Sequence, residues 1–450
     1  MAPELMLDRL DGQLLMPDDP GYDVARTVWN AVVDRRPRMI VRCGSVADVV
    51  AAVRTARELG LEIGVRCGGH SILGLAVPND GLMIDLSSMG EVQVDPARRR
   101  ARVQGGALLG ALDQAAQRHA LATTAGNVSH TGVGGLTLGG GMGWLARQYG
   151  LACDNVTSFE LVTADGNVLH ASRNENPDLF WGLRGGGGNF GIVTEFEFQL
   201  HPVDGRTLVA EFSFPLEEGR QVLRGWRDLN AQAPRQATFT AALGADDSLK
   251  VGFVWVGDPQ AGRRLLPAMR ALGRLAQERV LEPSYVDLQR KDDVDRRHAM
   301  RRYSKGHYLR QFSDEAIDAF LQRGAANDEA EVFPNVGLQA YGGAIADVPD
   351  GDAAFSHRDT LFEWGVATSW TDPAEDQARL AMARRAAAAL EPFASGVYVN
   401  ALADEGDVGV RRAYSPEKLA RLTALKDAYD PDNVFHLNQN IRPTRAPSAS

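Results

Sequence analysis

The 450-residue chain has few cysteines and no excess of positive charge. Its three cysteines, Cys43, Cys67 and Cys153, are odd in number and lack the spacing of a metal site. They therefore argue against both a disulfide framework and a metal centre, and they fit a reducing compartment, so we expect a cytoplasmic protein. The formal net charge of −10 argues against electrostatic binding of nucleic acid.

Long hydrophobic runs are also missing from the sequence. There is no stretch of about 18 consecutive apolar residues, the length that a membrane-spanning helix needs. The acidic N-terminal segment lacks the basic and apolar regions of a secretory signal. We therefore expect neither a membrane span nor secretion.

Glycine, by contrast, is abundant, with 47 residues gathered largely into clusters. Three clusters stand out, namely RCGGHS at 66–71, GVGGLTLGGGMGW at 132–144 and GLRGGGGNFG at 182–191. Glycine lets backbone N–H groups approach an anion closely, and a pyrophosphate is the usual anion in such loops. One long dinucleotide held from several sides would use all three clusters, and three unrelated tight turns are the alternative interpretation.

The order of predicted elements places these clusters in an α+β protein. Strands over 39–43 and 61–67 flank a helix that ends at Gly60, so RCGGHS follows a strand of a β-α-β unit. Residues 186–191 match G-x-G-x-x-G, but a helix precedes them and a strand follows, which is the reverse of a Rossmann site. From about residue 207, strands alternate with amphipathic helices over 216–233, 261–279, 313–326 and 373–394, which predicts an antiparallel sheet with helices on one face.

Four motifs in order carry a resemblance to a known family. They are residues 66–71, 126–156, 178–196 and the C-terminal segments 398–406 and 428–441. Together they resemble FAD-linked oxidoreductases of the berberine-bridge-enzyme-like group, in particular the bacterial 6-hydroxy-D-nicotine-oxidase-like proteins of the vanillyl-alcohol-oxidase superfamily. The resemblance implies a two-subdomain PCMH-type FAD-binding domain over 1–205 and an antiparallel-sheet substrate domain backed by helices over 206–394. Residues 395–450 would then return to the FAD domain.

The resemblance also implies how the flavin is attached. The histidine after the glycine pair, His70 here, is the family's covalent attachment point to the flavin 8α-methyl carbon, and neutral imidazole is a suitable nucleophile near pH 7. Many relatives add a second bond from a cysteine, but that position is Val128 in this sequence. We therefore expect FAD bound covalently through His70 only. His130 is interpreted as a loop or flavin-adjacent residue.

Other cofactor contacts are implied by matching motif positions. Thr131 occupies the position that gates oxygen in the family, and its valine-like size favours an oxidase. Asn400, Asn438 and Asn440 match positions beside the cofactor, with turn residues as the alternative for the last two. The remaining expected contacts are Arg66, Cys67, Gly68, Gly69, Ser71, Gly134, Gly135, Thr137, Gly140, Gly141, Gly143 and Val193.

The proton acceptor is left open, because Ala401 replaces the aromatic residue that follows the family's Y-x-N asparagine. The candidates are Tyr341, His357, Glu363 and Tyr398, each with a packing role as the alternative. If Glu363 and Trp364 lie in one unbroken strand, their side chains point to opposite faces, and one of them lines the pocket.

The resemblance implies a flavin-dependent oxidase that removes hydride from a C–H bond bearing an alcohol or amine of a small molecule. Oxygen would regenerate the flavin and give hydrogen peroxide. A dehydrogenase with another acceptor and a flavin-binding protein without turnover are the alternatives, and an NAD-dependent enzyme is more remote. The expected partners are a sugar, alkaloid, aromatic or other small-molecule substrate and O2, with neither a metal nor a nucleic acid, and the chain is expected to be a monomer or homodimer.

Overall fold

The computed structural model describes residues 7, 9–293, 299–324 and 333–445. The first sheet contains the strands β1 (Gln13–Leu15), β2 (Met39–Arg42), β3 (Ile63–Arg66) and β4 (Leu82–Asp85) in the order β1-β2-β4-β3, with the helices α1 (Tyr22–Ala25) and α2 (Val46–Leu59). The last three strands of that order run parallel. The side chain of Ser45 accepts a hydrogen bond from Asp48 N–H at the start of α2, and Gly60 ends the helix in the left-handed conformation at φ 64°. The predicted β-α-β unit is confirmed.

The second sheet is antiparallel and carries two of the three glycine-rich loops, 132–144 and 182–191, on its connections. Its strands are β5 (Val92–Asp95), β6 (Arg100–Gln104), β8 (Val156–Val162), β9 (Val168–Ser172) and β10 (Ile192–Gln199), in the order β5-β6-β10-β8-β9. Between them lie α3 (Leu109–Gln117), β7 (Leu121–Ala122), α4 (Val133–Gly139), α5 (Ala146–Tyr149) and α6 (Pro177–Leu183), and β11 (His201–Pro202) pairs with β7. The segment 186–191 connects α6 to β10, so the Rossmann interpretation is excluded as predicted.

The third sheet has seven antiparallel strands. They are β12 (Thr207–Phe214), β13 (Ala237–Leu243), β14 (Leu249–Val256), β15 (Gln277–Leu281), β16 (Arg301–Leu309), β17 (Asn335–Ala340) and β18 (Phe362–Trp370), in the order β15-β12-β14-β13-β17-β18-β16. The helices of this part are α7 (Gly219–Ala231), α8 (Pro259–Gly262), α9 (Leu266–Arg270), α10 (Tyr285–Gln289), α11 (Asp314–Gln322), α12 (Ala344–Asp347) and α13 (Asp376–Leu390). Side chains of α7, α11 and α13 share one apolar cluster with one face of the sheet. The α+β prediction is therefore confirmed.

The helix predicted over 261–279 is wrong. Two short helices, α8 and α9, occupy its first part, and its end belongs to β15, which pairs with β12 through Val209 and Leu281 at the edge of the sheet. Every residue of β15 is at least partly exposed, because an edge strand covers little apolar surface. Hydrogen bonds to β12 therefore decide the conformation, and the local helical pattern does not.

The C-terminal helices α14 (Gly406–Ala413) and α15 (Pro416–Tyr429) pack against the second sheet. Val410, Leu422 and Leu425 belong to the same apolar cluster as Phe159 and Phe196 of that sheet. The end of the chain thus returns to the half that contains the glycine-rich loops.

The two faces of the seven-stranded sheet have different surroundings. Phe362, Trp364 and Trp370 point into the helix-covered core. Glu363 lies on the other face, opposite Tyr308 of β16 and Gln339 of β17 in the strand register. The predicted opposite orientation of Glu363 and Trp364 is therefore confirmed, and Glu363 is the one that leaves the core.

Candidate active site

One cavity of about 420 Å³ is lined by loops from distant parts of the chain. The loop after β3 contributes Cys67 to Ser71, and the start of α4 contributes its glycines. The loop before β10 and the C-terminal segments near Asn400 and Asn438 complete the lining. All three glycine clusters of the sequence therefore reach one site, which favours a shared ligand over three unrelated turns.

Two of these loops meet through glycines that leave no room for a side chain. A Cβ atom at Gly68 would lie 2.3 Å from Gly132 N, and a Cβ atom at Gly132 would lie 2.4 Å from both Cys67 Sγ and Gly68 N. Gly69 follows with φ +66°, a conformation that glycine adopts without strain. Gly135 and Gly188 line the cavity and have nothing within 4 Å of a built Cβ, so their backbone is uncovered.

Buried polar atoms at this site indicate what it holds. Within the described part of the chain, Asn438 Oδ1 at the cavity wall is buried and has no hydrogen-bond partner, and the same holds for Thr137 Oγ1 and Asn440 Oδ1, whose chain neighbours Leu136 and Gln439 line the cavity. Unpaired buried polar atoms are costly unless a ligand satisfies them. Bare glycine backbone beside unsatisfied side-chain oxygens fits FAD, whose pyrophosphate, ribityl chain and ring all need hydrogen-bond partners.

His70 lies in this cavity wall between two aromatic rings. Its Nε2 atom is 2.7 Å from His130 Nδ1, and its Nδ1 atom is 3.4 Å from Thr131 Oγ1. The ring of Trp29 stacks on it, with 5.0 Å between the centroids and 15° between the planes. Trp29 lies about forty residues before His70 and belongs to none of the sequence motifs. No signal in the sequence therefore indicated that it contacts His70.

Several predicted cofactor contacts do line the cavity. They are His70, Cys67, Gly68, Gly69, Ser71, Thr131, Gly134, Gly135, Val193, Asn400 and Asn438. The Cys67 thiol donates to Ala107 O at 3.4 Å, and burial raises its pKa to about 11, so it stays a neutral thiol.

Other predicted contacts lie outside that lining and have structural partners. The Arg66 guanidinium is bound by Asp85 and by the carbonyls of Ala25 and Thr27, so it is not directed to a pyrophosphate. A Cβ at Gly143 would lie 1.6 Å from Ala125 O, which explains that glycine without a cofactor. Gly140, Gly141, Thr137 and Asn440 also lie outside the cavity lining.

Three of the four candidate proton acceptors lie together, Tyr341 buried and Glu363 and Tyr398 half-buried. Tyr341 Oη donates to Glu363 Oε2 at 2.6 Å. Burial raises the pKa of Glu363 to about 7, against the lowering effect of that hydrogen bond. Tyr398 lines the cavity, and its pKa is raised mainly by burial and also by the Glu363 charge, so the two groups are close enough to interact. The group therefore joins the sheet face to the cavity.

Two hydrogen-bond donors fix the orientation of the Tyr398 hydroxyl. Its oxygen accepts hydrogen bonds from Gly141 N–H at 2.8 Å and from Asn400 Nδ2 at 2.9 Å. Two donors on one oxygen leave the hydroxyl proton for a further acceptor. Tyr308, which the sequence reasoning missed, packs edge-on against Tyr341, with 5.4 Å between the centroids. Its place opposite Glu363 in the register is the signal that could have indicated it.

The fourth candidate, His357, does not join this group. Its Nε2 lies 2.9 Å from the carbonyl of Arg412, and a Cβ at Gly396 would touch its ring. Burial lowers the pKa of His357. Its contacts are those of a packing residue behind Tyr308, so its proposed catalytic role is not supported by the geometry.

The described residues contain neither a candidate metal site nor a helix able to span a membrane. No group of three or more His, Cys, Asp or Glu side chains in the described ranges could hold a metal ion. Among the helices of that same part, none is both long and apolar enough to cross a bilayer. The cytoplasmic location expected from the cysteines stays a prediction.

Comparison with known proteins gives the family. The model of the FAD binding domain matches residues 37–172, and the model of berberine and berberine-like proteins matches residues 397–442. The (R)-6-hydroxynicotine oxidase of Paenarthrobacter nicotinovorans is 32% identical over 456 residues, which cover 96% of this chain and 97% of that protein.

Solved structures agree with that similarity. The crystal structure of 6-hydroxy-D-nicotine oxidase from Arthrobacter nicotinovorans has a TM-score of 0.86 and 29% identity, covering 96% of this chain and 98% of that one. Glucooligosaccharide oxidase from Acremonium strictum, described with a 6-S-cysteinyl, 8α-N1-histidyl FAD, has a TM-score of 0.88 and 25% identity, covering 99% and 100%. Because the identity to the nicotine oxidase extends over almost the full length of both chains, this protein belongs to the FAD-linked oxidoreductases of the berberine-bridge-enzyme-like family and is an FAD-dependent oxidoreductase.

Proposed function

We propose that the chain is an oxidase that takes a hydride from a C–H bond bearing an alcohol or amine, with FAD attached through His70 alone. The observation that carries the proposal is the half-buried Glu363 carboxylate, which accepts a hydrogen bond from Tyr341, a residue that packs in one cluster with Tyr398 at the cavity wall. FAD, when bound, supplies the acceptor for the hydride and passes the electrons to oxygen.

Glu363 is the proton acceptor in this proposal. Loss of a hydride from an alcohol or amine carbon requires loss of the O–H or N–H proton as well, and a base with a pKa near the working pH accepts it best. The pKa of Glu363, raised by burial to about 7, meets that condition. Tyr341 holds the carboxylate in one orientation through its hydroxyl, and Tyr398 lines the cavity with a hydroxyl proton still available to donate.

A single covalent bond is proposed because the second attachment position has no nucleophile. Val128 offers no thiol, whereas the glucooligosaccharide oxidase carries both a cysteinyl and a histidyl bond. His70 lines the cavity, and the stacked Trp29 ring restricts its orientation. Acid precipitation of the purified protein tests this: flavin fluorescence should stay with the wild-type chain and leave the His70→Ala chain. Free release from wild type would refute the attachment.

The substrate is proposed to be a small molecule with an oxidisable alcohol or amine. The relatives oxidise 6-hydroxynicotine or glucooligosaccharides by their names, which are an amine and a polyol. The aromatic rings of Tyr308, Tyr341, Phe355 and Tyr398 form one cluster, and of these Tyr398 reaches the cavity, where its ring offers an apolar surface to a substrate. Oxygen is the proposed acceptor, since Thr131 at the cavity wall is no larger than valine.

Anaerobic reduction of the flavin tests the oxidase proposal. The purified protein is mixed without oxygen with a panel of cyclic amines, aromatic alcohols and oligosaccharides, and the flavin absorbance is followed. At least one compound should bleach the flavin, and air should restore the absorbance rapidly with one hydrogen peroxide per flavin. Slow recovery in air would indicate a dehydrogenase, and no bleaching by any compound would indicate a flavin-binding protein without turnover.

A further inference from the structure

His130 connects His70 to a carboxylate. His130 Nδ1 lies 2.7 Å from His70 Nε2, and His130 Nε2 lies 4.0 Å from Asp293 Oδ1. The His130 side chain is only 6% exposed, whereas His70 and Asp293 on either side of it are half-buried. Asp293 comes from the part of the chain that follows α10, whereas His130 and His70 come from the FAD half. The arrangement is therefore tertiary and has no local sequence signature.

Asp293 is fixed by the residue before His130. Its carboxylate accepts hydrogen bonds from Ser129 N–H at 3.0 Å and from the Ser129 hydroxyl at 2.6 Å. Arg290 Nε also lies 3.9 Å from Asp293 Oδ2. These contacts hold a negative charge beside the far nitrogen of His130, and a carboxylate at that place favours a proton on Nε2 and a lone pair on Nδ1.

The donor and the acceptor in the hydrogen bond between the two histidines are then defined. With its lone pair on Nδ1, His130 accepts a hydrogen bond from His70 Nε2–H, which places the lone pair of His70 on Nδ1. Thr131 Oγ1, at 3.4 Å from that nitrogen, is a hydroxyl, which can donate to this lone pair. Asp293, His130 and His70 thus follow the order carboxylate, imidazole base and nucleophile. In such an arrangement the carboxylate orients the imidazole, and the imidazole takes the proton of the nucleophile.

We propose that His130, oriented by Asp293, is the positioning base for the self-catalysed attachment of FAD to His70. The inference rests on the proposed covalent bond at His70. His130 does not touch the flavin atoms that react: it accepts the proton of His70 Nε2 while Nδ1 of His70 bonds to the flavin.

The bonds and electrons of that step balance with oxygen as the oxidant. One C–H bond of the flavin 8α-methyl group breaks, and a bond forms between that carbon and His70 Nδ1. The electron pair of the broken C–H bond stays on the flavin ring, which is thereby reduced by two electrons. One proton leaves the methyl carbon and the other leaves His70 Nε2 to His130. O2 then takes two electrons and two protons, giving hydrogen peroxide and oxidised, attached flavin.

The test measures attachment and not turnover. Full-length apoprotein, produced with limiting riboflavin, is mixed with FAD in air, quenched in acid at intervals, and the flavin fluorescence of the washed pellet is followed. His130→Gln should slow attachment about 100-fold, the lower range for loss of a general base. Asp293→Asn should slow it about 10-fold, as expected for an outer orienting partner. Asp292→Asn, the same change one residue earlier on an exposed side chain, should leave the rate unchanged.

Two further measurements separate proton transfer from folding. All variants should quench the fluorescence of added FAD within the mixing time as wild type does, since non-covalent binding does not need His130. Added imidazole should restore attachment in His130→Gly, where it can enter the space left by the ring, and should not do so in His130→Gln.

Three results would overturn the inference. The first is attachment at the wild-type rate in both His130 variants while wild type retains its flavin, which would leave the bond at His70 intact. The second is slow attachment that imidazole does not restore, with non-covalent binding weakened in proportion, which would make His130 structural. The third is release of all flavin from wild type in acid, which would remove the covalent bond and this role together.

Discussion

Glycines lie beside the cavity in the flavin half and beside Glu363 in the seven-stranded sheet, but they have different surroundings in each. In the flavin half, Gly68 and Gly132 cross so closely that a methyl group on either would overlap the other loop. In the seven-stranded sheet, Gly337 and Gly365 are register partners on the face that carries Glu363, and a Cβ built on Gly337 or Gly365 meets nothing closer than 3.5 Å. Gly68 and Gly132 therefore bring two backbones together, and Gly337 and Gly365 leave room on the sheet face beside Glu363.

This difference separates two ways of building a site. A loop that binds through its backbone needs glycines at fixed neighbouring positions, so a short motif records it. A surface built from side chains on several strands needs only the right residue at each register position, and no stretch of sequence contains the whole pattern. Substitutions in each half test this contrast, and the strongest effect is expected where two backbones touch.

Gly132→Ala should have the largest effect. Its Cβ would lie 2.4 Å from Cys67 Sγ and from Gly68 N, and a backbone atom cannot rotate away as a side chain can. We expect the free energy of unfolding to fall by about 3 kcal/mol or more, the upper range for overpacking, with loss of FAD retention. Urea denaturation of the purified protein measures it. An unfolding curve like that of wild type would refute the view that these loops must touch.

The contrast also explains which parts of the fold and site were predictable. The place of RCGGHS after a strand, the β-α-β unit and the alternation of Glu363 and Trp364 follow from local pattern and were confirmed. Trp29, Tyr308 and Asp293 reach the site only through tertiary packing, and no residue near them in sequence indicates their role. The same reason made the helix over 261–279 wrong, because its last residues pair with a strand over sixty positions earlier.

Glu363→Gln should abolish most turnover without loss of flavin. The amide cannot accept a proton, and general bases contribute typically about 10²–10⁴-fold to rate. We expect the rate of anaerobic flavin reduction to fall by at least about 100-fold, while the amount of bound FAD is unchanged. For wild type, the rate should fall as the pH drops below about 7, since the carboxylate must be ionised.

Asp113→Asn is the matched control for that variant. Asp113 is buried, its pKa is also raised by burial to about 7, and Gln289 donates to it outside the cavity. A carboxyl group whose pKa is higher in the folded state stabilises the fold below its unfolded pKa and loses that contribution as the pH rises towards 7. Both variants should therefore be more stable than wild type at pH 8 and similar to it at pH 4. Only Glu363→Gln should lose activity, and equal loss in both would point to a shared packing effect.

Tyr341→Phe should move the pH profile more than the maximal rate. The hydrogen bond from Tyr341 lowers the pKa of Glu363 against the effect of burial, so its removal should raise that pKa further. The acidic limb of the rate of flavin reduction should shift to higher pH, and a shift of one unit would lower the rate at pH 6 about tenfold. An unchanged acidic limb would mean that Glu363 is not the group that titrates.

Gly365→Ala should have the smallest effect on stability and the most selective effect on function. Its Cβ would have Lys305 O at 3.9 Å as its nearest contact, so the strand can accept it. Alanine in place of a strand glycine should raise the free energy of unfolding by up to about 1 kcal/mol. The new methyl group would nevertheless intrude on the space beside Glu363, so the KM of a ring-shaped substrate should rise while kcat changes little.

Gly166→Ala is the control, since that glycine lies in the β8–β9 turn at φ +70°, where alanine should destabilise the fold and leave KM unchanged. If Gly365→Ala instead unfolded the chain as Gly132→Ala should, the sheet would need its glycines for packing, and the distinction between the two halves would fail.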